Sequence, residues 1–359
     1  MIPLYIGSTG GYTGKSILSM GLGHAFKRDG FRVGYFKPIG ILPTKVDDIV
    51  TDTDAWRIYR ALEMSDPVKD ICPVVLTQEL AVKGYTTEVK GLLAKIVKSF
   101  NRLSQDKDIV LIGGYGSIYT GSFLDLQGLK VIKRLNAKAL IVVKYDGEYI
   151  VDYVLQAKKD LGDRFIGVVL NKVTQEHREG VNEFAVPFLK RKGIDILGIL
   201  PHDPVVGSIT VEELNEMLGG KVLCGHEKLG TLVENFLIGA MQVDKAMEYF
   251  KKTRNNAVIV GGDRSDIQLS AIESGSVCLI LSGELYPSEI IIAIAEQKDI
   301  PILVVREDTY SIAKKLEKLS VRLRLRDKAK VARGMNLVAE NVDFPLLYGK
   351  LWITQQRVK

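Results

Sequence analysis

The sequence has few of the features that mark secreted, zinc-binding or membrane proteins. Its 359 residues include only three cysteines, Cys72, Cys224 and Cys278, which lie far apart, form no CxxC pair and do not cluster with the four histidines. We therefore expect neither a disulfide framework nor a zinc site. No apolar run approaches the roughly 18 residues of a membrane span, and the N-terminus lacks a basic segment followed by an apolar stretch and a cleavage site. These absences predict a cytoplasmic protein with no membrane partner.

The sequence also lacks a large excess of either positive or negative charge. The chain has 49 basic and 43 acidic residues, a net charge of +6, and much of the excess lies in the run from Lys314 to Arg333. That run has no interleaved aromatic residues on which nucleic-acid bases could stack. We interpret it as a solvated helix or strand edge and expect no nucleic-acid partner.

The sequence does have a glycine-rich loop between an apolar strand and a helical pattern. Residues 7–16 are GSTGGYTGKS and follow the apolar residues Pro3 to Ile6. In such a loop the glycines let backbone N–H groups converge on a phosphate, and the helix N-terminus adds positive potential. The loop is a variant, because Thr9 stands where the usual pattern has its first glycine.

This loop predicts an ATP site with Mg²⁺. Lys15 would reach the β and γ phosphates, and the Ser16 hydroxyl would bind the metal ion. A glycine turn that merely joins a strand to a helix is the alternative. The predicted nucleotide-binding residues of the loop are Gly10, Gly11, Tyr12, Thr13, Gly14, Lys15 and Ser16.

Apolar strands and helix-length segments alternate along most of the chain. This pattern predicts an α/β fold with a parallel sheet covered by helices on both faces. The predicted elements include a long helix over residues 87–103 and an acidic loop through Asp47, Asp48, Asp52 and Asp54. The alternation weakens between Pro201 and Leu218, which predicts a P-loop NTPase domain over residues 1–215 and a smaller α/β domain over residues 216–325. Residues 326–359 form a tail whose structure the sequence does not indicate.

Several polar residues follow predicted strands and should meet at one edge of the sheet. In parallel sheets ligands bind at the carboxyl ends of the strands, where the loop, Lys37, residues 113–117 and Asn171 would lie. Two alternatives remain open. Lys37 could be an exposed charge at a strand end, and Asn171 could cap the turn after its strand.

The first 215 or so residues resemble the dethiobiotin synthetase family of P-loop proteins, and specifically the module found at the front of long phosphotransacetylases. The resemblance rests on GYTGKS, YFKP, TDTD, the glycine turn after Ile112, VVLNKV and GILP. It implies that Lys37 and Lys15 are catalytic and that Lys37 holds the reacting carboxylate and phosphoryl groups.

The same resemblance implies a metal ligand and an adenine pocket. Asp54 matches a carboxylate that binds Mg²⁺ together with the loop hydroxyl of Ser16, although aspartate is also a good helix N-cap. Asn171 matches a residue that contacts the adenine ring, and Pro201 lies near the same pocket.

The sequence departs from that family at Gly113. The family has a glutamate here that helps to bind Mg²⁺, and its loss weakens the hold on an ion that usually has one or two carboxylates. Alternatively, the glycine is required by a backbone angle with positive φ. The loop also lacks the family's threonine-rich sequence pattern GTxTxVGK.

The second predicted domain resembles the DRTGG domain. The resemblance rests on residues 260–264 (VGGDR), LSGELYPSE and IPILVV, but the namesake glycines are replaced in the spelling DRSDI. Asp263 and Arg264 either contact a ligand or form a local salt bridge. The chain stops shortly after this domain, so we do not expect it to be a complete phosphotransacetylase.

Two functions remain open. One is a regulatory or metabolite-sensing protein that binds ATP and signals through its second domain to an unidentified small molecule or protein. The other is an ATP-dependent ligase or phosphoryl-transfer enzyme that acts on a carboxylate or carbamate. Gly113 favours the first, which we prefer, and Lys37 favours the second. Asn171 and Lys172 are not followed by the aspartate of the NKxD motif that recognises guanine, which argues against a signalling GTPase. The sequence leaves open whether the protein forms a homodimer.

Overall fold

The computed structural model describes residues 1–11, 13–147, 149–319 and 328–353. It divides into two compact units. The first comprises residues 1–202 and the described C-terminal residues from 328 onward, and the second comprises the described residues 203–319. Tyr12, predicted to contact the nucleotide, lies outside the described residues, as do residues 320–327 of the basic run.

The first 202 residues alternate strands and helices. The strands are β1 (Ile2–Ser8), β2 (Val33–Phe36), β3 (Ile39–Gly40), β4 (Pro43–Val46), β5 (Ile49–Asp52), β6 (Val74–Val75), β7 (Ile109–Gly113), β8 (Lys138–Lys144), β9 (Phe165–Val173) and β10 (Ile196–Pro201). The helices are α1 (Lys15–Arg28), α2 (Thr53–Ala61), α3 (Val68–Ile71), α4 (Gln78–Thr86), α5 (Leu92–Leu103), α6 (Gly128–Arg134), α7 (Ile150–Leu161), α8 (Arg178–Gly180) and α9 (Val186–Arg191).

Six of these strands form a sheet in the order β10-β9-β8-β1-β7-β2 among the described residues. Every neighbouring pair is parallel. The predicted parallel sheet is therefore confirmed. The strands are mostly apolar because helices cover both faces, and all five residues of β7 are buried.

The strand order fixes where a ligand crevice opens. The chain passes from β1 through α1 to β2 in one direction along the sheet, and from β7 to β8, β9 and β10 in the other. Right-handed crossovers in opposite directions lie on opposite faces. The crevice therefore opens between the carboxyl ends of β1 and β7, where the connections diverge.

The second unit is a smaller α/β sheet with its own core. Its elements are α10 (Pro204–Gly207), β11 (Ile209–Thr210), α11 (Val211–Leu218), β12 (Lys221–Cys224), β13 (Leu232–Val233), β14 (Asn235–Ile238), α12 (Val243–Lys252), β15 (Asn256–Gly261), α13 (Ser265–Glu273), β16 (Cys278–Ser282), α14 (Glu289–Gln297), β17 (Ile302–Val304) and α15 (Thr309–Leu319). The sheet order is β12-β17-β16-β15-β14, with β12 antiparallel to β17.

Two apolar clusters cover the two faces of this second sheet. Val258 and Val260 of β15 belong to one cluster with residues of α12, α13 and α14. Ala257 and Ile259 point to the other face and pack with residues of α11 and α15. Alternate residues of β15 therefore pack into two different cores, because successive side chains of a strand point to opposite faces of the sheet.

The chain then returns to the first unit with two C-terminal helices, α16 (Lys328–Asn341) and α17 (Phe344–Leu351). A Cβ atom on Gly21 of α1 would lie only 2.7 Å from both Cγ atoms of Val338, so α1 and α16 are in close contact. The Asp343 N–H donates to the Leu197 carbonyl at 2.9 Å, and Val342 forms a bridge to Gly198 of β10. These helices complete the cover on the α1 face of the sheet.

Two local predictions were wrong. The helix expected over residues 87–103 begins only at Leu92, because Gly91 takes a left-handed conformation with φ 84°. The expected acidic loop is a hairpin in which β4 pairs with β5, with Asp47 and Asp48 in its turn at positive φ. None of the helices in the described part of the chain has the length and apolar character that a bilayer crossing needs.

Candidate functional site

The glycine-rich loop ends in a helix N-terminus that is open to an anion. Gly14 is the N-cap of α1 with φ 99°, it makes no side-chain cap, and the first turn of the helix has no acidic residue. A Cβ atom on Gly10 or Gly11 would meet nothing within 4 Å. The hydroxyl of Thr13 is buried without a hydrogen-bond partner among the described residues. Unsatisfied donors, open space and helix polarity together fit a phosphate group.

Lys15 lies between this loop and the loop that follows β7. Its ammonium group donates to the Ser8 hydroxyl at 2.7 Å and to the Gly116 carbonyl at 2.8 Å. Burial, and to a smaller extent the charge of Lys37, lowers the pKa of Lys15 to about 8. The protein thus holds a cation at the edge of the crevice without a carboxylate partner among the described residues.

Lys37 follows β2 and is buried, which excludes the exposed strand-end charge that the sequence left open. Its side chain is 8% exposed and its ammonium group lies 2.6 Å from Oδ1 of Asp52. Asp52 is the N-cap of α2, since it also accepts a hydrogen bond from the Ala55 N–H at 2.9 Å. The cap is therefore Asp52 and not Asp54, which lies in the first turn of α2.

Gly113 ends β7 directly beside Tyr35 of β2. A Cβ atom on Gly113 would overlap the Tyr35 hydroxyl oxygen and lie 3.1 Å from Cζ. Burial raises the pKa of Tyr35 well above its usual range, and the carboxylates of Asp52 and Asp54 raise it further. Gly113 is not among the residues with positive φ, so the backbone explanation for this glycine is wrong. The close approach of Tyr35 explains it instead.

Asn171 lies at the end of β9 and contacts the glycine-rich loop. Its amide nitrogen donates to the Thr13 carbonyl at 2.7 Å, and its oxygen accepts from the Lys172 N–H at 2.8 Å. A Cβ atom on Gly14 would overlap the same amide nitrogen, so glycine is needed there for space as well as for φ. Pro201 ends β10, three strands from β1 at the same edge of the sheet.

The donors present suit Mg²⁺ only in combination with a nucleotide. No group of three or more histidine, cysteine or carboxylate side chains that could hold a metal ion occurs among the described residues. Ser16 and Asp54 supply oxygen, the donor that Mg²⁺ prefers, and the ion usually completes its shell with water and phosphate oxygens. The site therefore fits a magnesium ion that arrives with a bound polyphosphate.

Comparison with known proteins identifies the family. Residues 3–210 match the family model described as an AAA domain. The chain belongs to this family. Residues 213–319 match the DRTGG domain, so the predicted order of a P-loop module followed by a DRTGG-type module is confirmed.

Curated relatives of this AAA-family chain include long phosphate acetyltransferases. The enzyme of Pseudomonas aeruginosa is 25% identical over 372 residues, which cover 97% of this chain and 52% of the relative. That of Nitratidesulfovibrio vulgaris is 26% identical, covering 97% and 51%. The chain thus spans about half the length of the curated relatives it matches. YtoI of Bacillus subtilis, an uncharacterized protein, is 29% identical over 108 residues, 30% of this chain and 24% of YtoI.

Solved structures share only part of the fold. The septum site-determining protein MinD of Pyrococcus horikoshii, complexed with Mg-ADP, is 18% identical with a TM-score of 0.38 and covers 57% of this chain and 83% of its own. Cobyrinic acid a,c-diamide synthase of Mycobacterium smegmatis, with a bound ATP analog and magnesium, is 12% identical with a TM-score of 0.36, covering 56% and 88%.

Three site residues were not found by sequence reasoning. Ser8 accepts from Lys15, Asp52 pairs with Lys37, and Tyr35 fills the space beside Gly113. Only Asp52 had a signal, because it stands three residues before Ala55 in a run with N-cap character. The contact of Ser8 with Lys15 depends on how the loop folds back between β1 and α1. The position of Tyr35 depends on β2 and β7 being neighbours, and the sequence does not give that order.

Proposed function

We propose that this AAA-family protein binds Mg-ATP at residues 10–16 and acts as a regulator whose DRTGG-type module responds to the occupancy of that site. The observation that carries the binding proposal is the open N-terminus of α1, with Lys15 beside it and the Thr13 hydroxyl without a hydrogen-bond partner in the described part of the chain. These groups are arranged for an anion of several phosphates, because each supplies a donor or positive potential.

The roles within the site follow from position. The backbone of residues 10–14 would surround the β-phosphate, and Lys15 would exchange its contacts to Ser8 and Gly116 for phosphate oxygens. Ser16 and Asp54 would hold Mg²⁺, which neutralises phosphate charge when it is bound. Asn171 would fix the loop through Thr13 and, with Pro201, border the adenine.

The regulatory role is supported by the uncharged Tyr35 hydroxyl beside Gly113 and by the position of the second unit within the sequence. The Tyr35 hydroxyl occupies space that a side chain on Gly113 would need, so β7 contributes no carboxylate at this point. With Asp54 as the sole carboxylate proposed for Mg²⁺, binding is better supported than fast turnover. Residues 203–319 also stand in sequence between the strands of the nucleotide unit and α16, which packs on α1.

A second candidate is an ATP-dependent ligase or phosphoryl-transfer enzyme that acts on a carboxylate or carbamate. The observation in its favour is the pair of buried ammonium groups, since the charge of Lys37 reaches Lys15 strongly enough to lower its pKa. Two neighbouring cations can hold two anionic groups in reacting position. In this candidate Lys37 and Lys15 would be the catalytic residues.

Titration calorimetry with ATP, ADP and GTP, each with and without Mg²⁺, tests the binding proposal. We expect ATP and ADP to bind in a Mg²⁺-dependent manner and Lys15→Ala to weaken their binding strongly. A phosphate-release assay with mixed carboxylic acids separates the two roles. Rapid Mg²⁺-dependent turnover would favour the ligase over the regulator, whereas equal affinity in the wild type and Lys15→Ala would overturn both.

A further inference from the structure

Asp52 is the most extensively bonded carboxylate near the crevice, although neither proposed role uses it. Its Oδ1 accepts from the Lys37 ammonium group at 2.6 Å and from the Ala55 N–H at 2.9 Å. Its Oδ2 accepts from the N–H groups of Ile41 and Leu42, both at 2.9 Å. A carboxylate has about four acceptor positions, so Asp52 has no oxygen lone pair left for a metal ion. It is completely buried.

These four bonds connect two parts of the candidate site. The Lys37 ammonium group would be costly to bury without a counter-charge. The Ala55 bond caps α2 and so fixes the first turn of the helix that carries Asp54. One carboxylate therefore sets the position of both the second crevice lysine and the proposed metal ligand.

We propose that Asp52 is a positioning residue for the polyphosphate site, which holds the Lys37 ammonium group and Asp54 where γ-phosphate and Mg²⁺ bind. This inference rests on the proposed function, because it names the group that orders the same site. Asp52 touches neither ligand nor metal. It acts through Lys37 and through the cap of α2.

A purely structural ion pair is the alternative, and the chain contains a matched example. Asp70 is also buried, with 3% of its side chain exposed, and pairs with Arg102. That pair joins α3 to α5, and neither of its residues belongs to the proposed nucleotide site. Both Asp52→Asn and Asp70→Asn leave a cation without its carboxylate, so both should lower the melting temperature.

The test compares Mg-ATP affinity in these two variants. We expect Asp52→Asn to weaken Mg-ATP binding roughly 10-fold or more, as for the loss of a charge-assisted contact, and Asp70→Asn to leave it unchanged. In a Lys37→Gln background the further change Asp52→Asn should have a much smaller effect, because the ammonium group that needs its charge is already gone and asparagine can still cap α2. Should Asp52→Asn fail to fold, Asp52→Glu keeps the charge but displaces it, and we expect the same loss of affinity.

The outcomes separate this inference from the proposed function. If Lys15→Ala abolishes Mg-ATP binding while Asp52→Asn and Asp52→Glu bind as the wild type does, the nucleotide site stands and the role of Asp52 is wrong. Equal losses in Asp52→Asn and Asp70→Asn would make Asp52 merely structural. If Mg-ATP binds to neither the wild type nor any variant, the proposed function itself fails.

Discussion

The hydroxyl of Tyr35 occupies the space that a side chain on Gly113 would need. A Cβ atom there would overlap the hydroxyl oxygen and approach Cζ to 3.1 Å. We therefore predict that Gly113→Ala lowers the free energy of unfolding by about 1–3 kcal/mol, as overpacking of a full core does. Tyr35→Phe removes the overlapping oxygen and should recover most of that loss in the double variant.

Chemical denaturation of the wild type, both single variants and the double variant measures this coupling. Tyr35→Phe alone serves as the control for loss of the hydroxyl. Simple additivity of the two single effects would show that the two residues do not compete for the same space.

A second prediction concerns the charge of Lys15. We expect Lys15→Ala to weaken ATP binding roughly 10- to 100-fold, in line with charge-assisted hydrogen bonds to phosphate. The fold should survive, because Lys15 is half-buried in the first turn of α1 and removing its side chain leaves no large cavity. Lys138→Ala is the matched control, since Lys138 begins β8 at the opposite end of the strands and, among the described residues, donates a hydrogen bond only to the Asp163 carbonyl. A similar loss in both variants would point to nonspecific attraction by net charge.

A third prediction is the pH dependence of nucleotide binding. The pKa of Lys15 is lowered to about 8, mainly by burial and then by Lys37. A bound phosphate favours the charged form and raises this pKa, so binding takes up a proton wherever the free lysine is neutral. ATP affinity should therefore be greatest below pH 8 and fall as the pH rises through 8. Calorimetry between pH 7 and pH 9.5 in buffers of different ionisation enthalpy would detect the proton uptake, which should be absent in Lys15→Ala.

A fourth prediction concerns the C-terminal helices. A chain that ends at residue 327 lacks α16 and α17, exposes the α1 face of the sheet and should lose the cooperative melting transition of the nucleotide unit. A chain that ends at residue 353 keeps both helices and should melt as the full chain does. Within the intact chain, Gly21→Ala should destabilise by about 1–3 kcal/mol because of Val338. Val338→Ala should offset only part of this loss, because it removes the two Cγ atoms but keeps the Cβ atom that the new side chain would overlap.

A fifth prediction defines the independent second unit. A fragment over residues 203–324 should show cooperative thermal unfolding, because both faces of its sheet are covered by its own helices. A fragment over residues 216–325, the bounds that the sequence predicted, lacks Val211 and Leu214 of the second cluster. It should be less stable or aggregate. Similar melting of the two fragments would show that α11 is dispensable.

The sequence predicted the central strands and the glycine-rich loop because both follow from local patterns. Apolar runs predicted the strands that precede the loop, residues 113–117 and Asn171, and the GKS triplet marked the point where α1 begins. The pairing of Lys37 with Asp52 could not be predicted, because it depends on the hairpin that brings residue 52 back to the end of β2. The close approach of Tyr35 to Gly113 likewise requires β2 and β7 to be neighbours.

The C-terminal helices were missed for a different reason. Their apolar residues have a helical period, but Gly334 sits in the middle of α16 and weakens the pattern. The structure shows its purpose, since a Cβ atom there would lie 2.7 Å from the Ile17 side chain. Gly334 thus lowers the helix propensity of α16 but permits close packing against α1. This benefit can be recognised only when the position of α1 is known.

Because α16 and α17 belong to the nucleotide unit, that unit cannot be completed during synthesis when its last strand emerges. Residues 203–327 must first be translated, which takes on the order of ten seconds at usual elongation rates. Throughout that interval the edge of β10 that meets Val342 and the apolar face beside α1 have no cover from their own chain. The nascent protein therefore passes through a stage with an open strand edge, the kind of surface that aggregates or is bound by chaperones. The second unit can fold before the first is complete, because it is continuous in sequence whereas the first requires α16 and α17 from the end of the chain.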